Sequence, residues 1–182
     1  MSTMRVSMCV ALVLALVGAS SAWPQDADLQ LRRGFRAVTL GLPFASVQQE
    51  LAADPAFLYR GEPDVSLRLS DGESVIDTRG RVYVDRAVFQ FHEGRLFSMA
   101  MYLSRRNLDY FQLFEQLRTR YGEPVELDPQ RAYWQDERTR IELERPLTVR
   151  YLDRAVFEER RSAARTLEAA EDVAREQFLE EF

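Results

Sequence analysis

Residues 82–103 read V-Y-V-D-R-A-V-F-Q-F-H-E-G-R-L-F-S-M-A-M-Y-L, and the reading of this stretch decides the fold. Apolar residues alternate with polar ones up to Phe89 and Phe91. His92-Glu93-Gly94 supplies turn chemistry, and a second apolar run returns from Leu96 to Leu103. Alternation with a period of two marks a half-buried strand, and two such runs about a glycine-bearing turn make a β-hairpin. A three-residue loop with Gly94 in the left-handed conformation would pair Phe91 with Arg95 and Phe89 with Phe97. That register collects Phe89, Phe91, Phe97, Met99, Met101 and Leu103 on one face. A two-residue loop would split the set, so the spacing predicts the three-residue loop.

Upstream, 35–42 (F-R-A-V-T-L-G-L) suits a short strand or entry segment, and Pro43 opens a helix. Phe44, Val47 and Leu51 recur at i, i+3 and i+7, and Asp54-Pro55 ends that helix. Gly61-Glu62-Pro63 is a turn, Val65, Leu67 and Leu69 alternate as a strand, and Asp71-Gly72 begins a stretch to 81 rich in Gly, Asp and Ser. Downstream, a helix is predicted from Asn107 or Leu108 to Tyr121. Tyr110, Phe111, Leu113, Phe114, Leu117 and Tyr121 form a wide apolar stripe, and Gly122 stops it. Three short strands follow at 131–135, 139–143 and 147–151. From Asp153, which can cap it, a third helix carries Val156, Ala163, Leu167, Ala170, Ala174 and Phe178 near 3-4 spacing. Residues 158–182 hold eight acids and four arginines, and Glu180 and Glu181 oppose the helix dipole in the last turn.

The order of elements is α+β: an antiparallel sheet with helices packed on one face and a C-terminal helix. Tyr59-Arg60-Gly61-Glu62-Pro63 and Arg120-Tyr121-Gly122-Glu123-Pro124 are alike, and strands follow each. This suggests two tandem helix-plus-strands units, at 35–104 and 105–152, although Gly-Glu-Pro is also simply good punctuation after a helix. The remaining divisions are a signal peptide at 1–22, a flexible leader at 23–34 and the C-terminal helix at 153–182.

The first 22 residues read as a secretory signal: Arg5, an apolar stretch over 6–17, then Gly18-Ala19-Ser20-Ser21-Ala22. Cleavage is expected between Ala22 and Trp23. It would remove the single cysteine, Cys9, and leave 160 residues with 23 arginines and 29 acids. An exported chain without disulfides has to be held by an ordinary apolar core, and the overall 46% hydrophobic content can supply one. No second long apolar run follows, so the mature chain is not expected to span a membrane. Its acidity and its export speak against nucleic acid as a partner.

The 182 residues contain no lysine; all 24 basic residues are arginine, and His92 is the one histidine. That excludes Schiff-base chemistry, a phosphate-loop lysine and a Cys/His zinc site, and no cofactor is expected. A serine triad would have to run through His92, which reads as a solvated turn residue. Carboxylates are the remaining catalytic option, from Asp85, Glu93, Glu115, Asp136, Glu142 and Glu144, with the last two on the polar face of a strand. Asp71, Glu73 and Asp77 are the densest acidic group, without a calcium-loop pattern, so no metal site is expected. Arg32-Arg33-Arg36, Arg79-Arg81 and Arg105-Arg106 could meet phosphate or lipid headgroups. An interaction surface is expected at Tyr133 and Trp134 on the sheet and at Leu167 and Phe178 on the terminal helix.

Gly41-Leu42-Pro43, followed by a short helix with Val47 and Leu51, resembles the entry of the BamE/SmpA family. The tandem helix-plus-sheet pattern is similar to the β-lactamase-inhibitor-protein fold. The stretch from Phe35 to about Asp153 also resembles uncharacterised secreted proteins of spirochaetes, sharing Tyr121-Gly122-Glu123-Pro124 followed by Trp134. The resemblance implies a non-enzymatic envelope role in binding or assembly. The expected function is therefore an exported binding or assembly module with an envelope protein as partner. Self-association through the C-terminal helix is a second use of that helix. The alternatives are a carboxylate-dependent hydrolase of envelope glycans and a small lipid or ligand carrier.

Overall fold

The computed structural model describes residues 30–67 and 73–182. The signal segment with its Ala22-Trp23 junction, Leu69 and the Asp71-Gly72 turn lie outside the described residues. The chain enters through a small ribbon of β1 (Gly34–Phe35) and β2 (Val38–Thr39). Helix α1 (Phe44–Ala53) follows, opened by Pro43 and closed at Asp54. Proline suits that entry because the first amides of a helix have no partner inside it. A 3₁₀ turn over Glu62–Asp64 leads into β3 (Val65–Leu67), β4 (Ser74–Arg79), β5 (Val84–His92) and β6 (Arg95–Leu103). Helix α2 (Tyr110–Tyr121) precedes β7 (Glu126–Leu127), β8 (Arg131–Gln135), β9 (Thr139–Glu144) and β10 (Thr148–Asp153). Helix α3 (Arg154–Leu179) is last.

Strands β3 to β10 form one antiparallel sheet in the order β3-β4-β5-β6-β10-β9-β8-β7. Each half runs helix, then a four-stranded meander, and the last strand of each half pairs with the other's at the centre. Gly61 and Gly122 hold φ of 81° and 79° at corresponding places, a left-handed backbone that glycine adopts without a Cβ penalty. The α+β architecture is thus the one the sequence predicts.

The core forms on one face of this sheet. Val65, Ile76, Phe89, Met99, Tyr151, Ile141 and Trp134 are successive cross-strand partners, a single row from β3 to β8. From Ile76 onward every member of the row is buried. Helix α1 lays Val47 and Leu51 over this face, and Phe44 meets Phe91 edge-on with ring centres 4.9 Å apart. Helix α2 contributes Leu117, and Phe114 packs 5.9 Å from Trp134. Asp109 caps α2 by accepting from the amides of Phe111 and Gln112. That is why the helix starts at Tyr110 rather than at Asn107 or Leu108; Phe111, in its first turn, is 66% exposed.

The hairpin forms around a different turn from the one predicted. His92 pairs with Arg95, so the loop is the two residues Glu93-Gly94, with φ of 50° and 72°. Two left-handed residues give the tight turn whose twist matches the flanking strands. The face-splitting this should cause is repaired by a β-bulge: Phe91 pairs with Leu96 but Gln90 pairs with Ser98, leaving Phe97 as the extra residue. Leu96 therefore takes the core position expected of Phe97. Phe97 turns to the opposite face, where it meets His92 and Arg160.

Two other expectations change, and the placement of the C-terminal helix is decided. Residues 74–79 form a strand, although only Ile76 among its inward residues is large and apolar; Ser74 and Thr78 fill the others. The leader does not remain free at its end. Leu31 is buried and its amide donates to Asp136, while Arg33 pairs with Asp153 at 2.6 Å. Helix α3 touches the sheet only through its first turns. Val156, Phe157, Glu158 and Arg160 are half-buried, and every residue from Arg161 on is exposed.

Replacing Phe89 by alanine should cost about 3–5 kcal/mol, the usual cost of removing a buried aromatic ring. Phe111→Ala, on an exposed position, should change stability by less than about 0.5 kcal/mol. Urea unfolding midpoints of the two variants check the contrast.

Candidate functional site

The face of the sheet opposite the core is where polar chemistry gathers. Alternation sends Arg140, Glu142 and Glu144 of β9 to this face, and strand pairing puts Arg150 of β10 directly opposite Glu142 and Tyr133 of β8 on its other side. Arg150 Nη2 reaches Glu144 at 3.3 Å and its Nε lies 3.8 Å from Glu142, while Arg140 Nη1 lies 3.6 Å from Glu142. The Arg140 guanidinium lies over the Tyr133 ring at 4.5 Å. Glu142 is buried under these side chains. Burial pushes its carboxyl above the ordinary range, and the neighbouring Glu144 charge adds to this; Arg150 and Arg140 oppose it.

Beside this cluster lies a hollow of 340 Å³ between the sheet and the base of α3. Val75 and Gln90 of β4 and β5, the bulged Phe97 with Ser98, and Leu152 of β10 form its floor; Phe157, Arg160 and Arg161 close it from the helix. Arg160 fastens the helix. It pairs with Glu73, stacks over Phe97 at 5.2 Å and lies 3.1 Å from Nδ1 of His92. An arginine can only donate, so Nδ1 is the acceptor in this contact. The histidine read as a solvated turn residue is thus half-buried at the end of β5.

The expected surface divides in the same way. Tyr133 lies on the charged face. Trp134 does not: it is 2% exposed, packed on the core face, and its indole N–H donates to the Gly122 carbonyl at 2.8 Å. Adjacent strand residues point to opposite faces, so the pair could never have shared a surface. Leu167 and Phe178 are 62% and 59% exposed on α3.

Of the other carboxylates, Asp85 and Glu93 are exposed, and four are bound to neighbouring groups. Asp136 accepts from the amides of Leu31, Arg138 and Thr139, and Glu115 pairs with Arg118. Glu73 and Asp77 bind Arg160 and Arg86. Asp64, unflagged, is buried in the Gly-Glu-Pro turn. Burial pushes its carboxyl up, but bonds from Arg60 and Thr78 outweigh this and hold it below the usual range. Among the described residues no group of three or more His, Cys, Asp or Glu is placed to hold a metal. Arg33 and Arg36 are in ion pairs with Asp153 and Asp54, whereas Arg79, Arg81, Arg105 and Arg106 are exposed.

The hollow itself escaped the sequence reading. Alternation in 139–144 and 148–153 put Arg140, Glu142, Glu144 and Arg150 on a polar face, but only the register of β9 with β10 sets Arg150 against Glu142.

The TP0088 domain family model matches residues 33–163. The chain belongs to this family. The match takes in the whole sheet, α1, α2, the hollow and the base of α3; residues 164–182 of the helix lie beyond it. This fits the resemblance to uncharacterised spirochaete proteins. No curated protein and no solved structure matches the chain.

The buried Glu142 gives a pH signature. A carboxyl whose folded pKa is raised contributes stability that is present below the unfolded value and lost as pH rises through the folded value. Glu142→Gln lacks that loss. The melting temperature of the variant, relative to the parent chain, should therefore rise as pH is increased from about 4 to about 7. A difference that stays flat across this range would show that Glu142 is not titrating from a buried, raised state.

Proposed function

We propose that this TP0088-domain protein is a non-enzymatic, exported envelope protein that works as a binding or assembly module, engaging a partner protein through α3. The observation that carries the reading is the helix beyond Arg160. It leaves the sheet after its first turns, yet Leu167, Val173, Phe178, Leu179 and Phe182 are all more than half exposed. Apolar side chains lined up on a free helix are the anchors of helix-in-groove recognition. Ala163, Leu167, Ala170, Ala174 and Phe178 fall on one line along the helix, continuous with Val156 at its base. Residues 168–182 carry six acids against Arg175 alone, so the complementary partner is a basic, apolar-lined groove on another protein. A second copy of this chain would set acid against acid, which disfavours self-association in the parallel sense.

Export rests on the Arg5, apolar-run and Ser20-Ala22 pattern, with cleavage between Ala22 and Trp23. No described helix is long and apolar enough to cross a membrane. The BamE/SmpA-like entry at Gly41-Leu42-Pro43 and the β-lactamase-inhibitor-like tandem pattern lend the reading a non-enzymatic precedent. Glycan hydrolysis has less support, because Asp136 and Glu115, which line hollows, are bound to their own loop or helix, and the hollow that Asp85 lines holds no second carboxylate.

Leu167→Asp with Phe178→Asp should leave the melting temperature within about 2 °C of the parent, because both side chains are exposed. The same variant should lose the partner cross-link that the parent chain gives in whole cells. N-terminal sequencing of the cell-derived protein should begin at Trp23. A parent chain that runs alone after cross-linking and native separation would overturn the binding-module reading, and a cross-linked band containing two copies of the chain would replace the basic partner with self-association.

A further inference from the structure

The hollow between the sheet and the base of α3 is lined in a way that the binding reading of α3 does not use. Its walls are of two kinds. Val75, Phe97, Leu152 and Phe157 give an apolar surface, and Arg150, Arg160 and Arg161 bring three guanidinium groups against one carboxylate, that of Glu73. Glu73 is already taken by Arg160, and the exposed Arg161 pairs with the half-buried Glu158 one turn away, an ion pair open enough for water to screen. Arg150 is shared with the neighbouring cluster, where its Nη2 reaches Glu144 at 3.3 Å, but its Nε is buried and has no hydrogen-bond partner among the described residues, because the Glu142 oxygen at 3.8 Å is beyond reach. Buried donors without partners are uncommon in folded proteins and call for an explanation.

We infer that this hollow is a binding site for an anionic amphiphile, a carboxylate or phosphate head on an aliphatic chain, with the head on Arg150 and Arg161 and the chain against Phe97, Leu152 and Phe157. Guanidinium groups match the paired oxygens of a carboxylate or phosphate, and Arg150, incompletely satisfied by Glu142 and Glu144, lines the hollow with a third of its side chain exposed. Apolar walls favour a ligand with a chain over a bare anion, since each methylene taken from water adds to affinity. A volume of 340 Å³ lies within the range of small-ligand sites. The site exists because of the bulge. With the predicted hairpin register Phe97 would lie in the core, and the floor of the hollow would lose its aromatic side. Every residue named lies within the stretch that matches the family.

The test is isothermal titration of the purified full chain with decanoate and decyl phosphate below their micelle concentrations, with decanol and inorganic phosphate as controls. Decanoate, decyl phosphate or both should bind at one site per chain, and the two controls should bind at least about tenfold more weakly, the scale of one charge-assisted hydrogen bond. The preference between the first two tells a carboxylate source from a phosphate source. Arg150→Gln should weaken the amphiphile about tenfold or more. Arg161→Gln, at an exposed position where folding is not at stake, should weaken it in the same direction. Ser98→Leu, which fills the floor, should abolish it. Decanol binding as tightly as decanoate would overturn the anionic half of the proposal, and inorganic phosphate binding as tightly as decyl phosphate would overturn the amphiphile. No binding to the parent chain, or unchanged binding in a folded Arg161→Gln, would overturn the site. The partner cross-link through α3 is read separately on Leu167→Asp with Phe178→Asp, so either result stands without the other.

Discussion

Strand β6 is hydrogen-bonded to β5 on one side and to β10 on the other, and six consecutive residues of it, from Leu96 to Met101, are buried. A strand covered on both faces cannot follow simple alternation. Leu96, Met99 and Met101 belong to the core beneath α1 and α2, while Phe97, Ser98 and Ala100 serve the other face. The β6–β10 pairing is also the one seam that makes a single sheet of two meanders. Without it each half would be a four-stranded sheet with an open edge, and an open edge is a template for unwanted pairing. The row from Val65 to Trp134 crosses this seam at Met99 and Tyr151, so the two halves share one core.

The bulge at Phe97 connects that constraint to the hollow. A tight two-residue turn fixes the hairpin's twist but would send the aromatic set to the wrong side. One extra residue restores parity for Leu96 and Phe91, and Phe97 is displaced onto the second face. There it becomes the surface on which Arg160 stacks, with Glu73 and His92 completing the fastening. Arg160 thus fastens the base of α3 alongside the half-buried Val156 and Phe157, and the hollow lies beside it. The rest of the helix is left in solvent. A chain with no lysine does all of this with guanidinium groups. Their planar, multi-donor geometry suits both the ion pairs with Asp64, Asp77 and Asp153 and the stacking on Phe97 and Tyr133.

Much of the architecture was legible in the sequence. Pro43 and Asp54-Pro55 bracket α1; Gly122 ends α2; Asp153 caps α3; and 131–135 is a strand with the bounds expected. These are local signals, set by backbone stereochemistry and by apolar spacing within a few residues. The strand at 74–79 was less legible because its inward positions are Ser74, Ile76 and Thr78, with one large apolar side chain among them. Its stability comes from β5 beside it.

By itself, the sequence determined the element types, the α+β order, the absence of lysine chemistry and the amphipathic character of the last helix, since each follows from side-chain identity at a fixed spacing. Only the tertiary structure decided where the halves meet, which side Phe97 takes, that Trp134 is core rather than surface, and where α3 leaves the sheet. Those outcomes depend on strand register. A shift of one residue exchanges the two faces of a sheet, and the register here was set by a tight turn and a compensating bulge whose joint cost is settled by packing across the whole sheet.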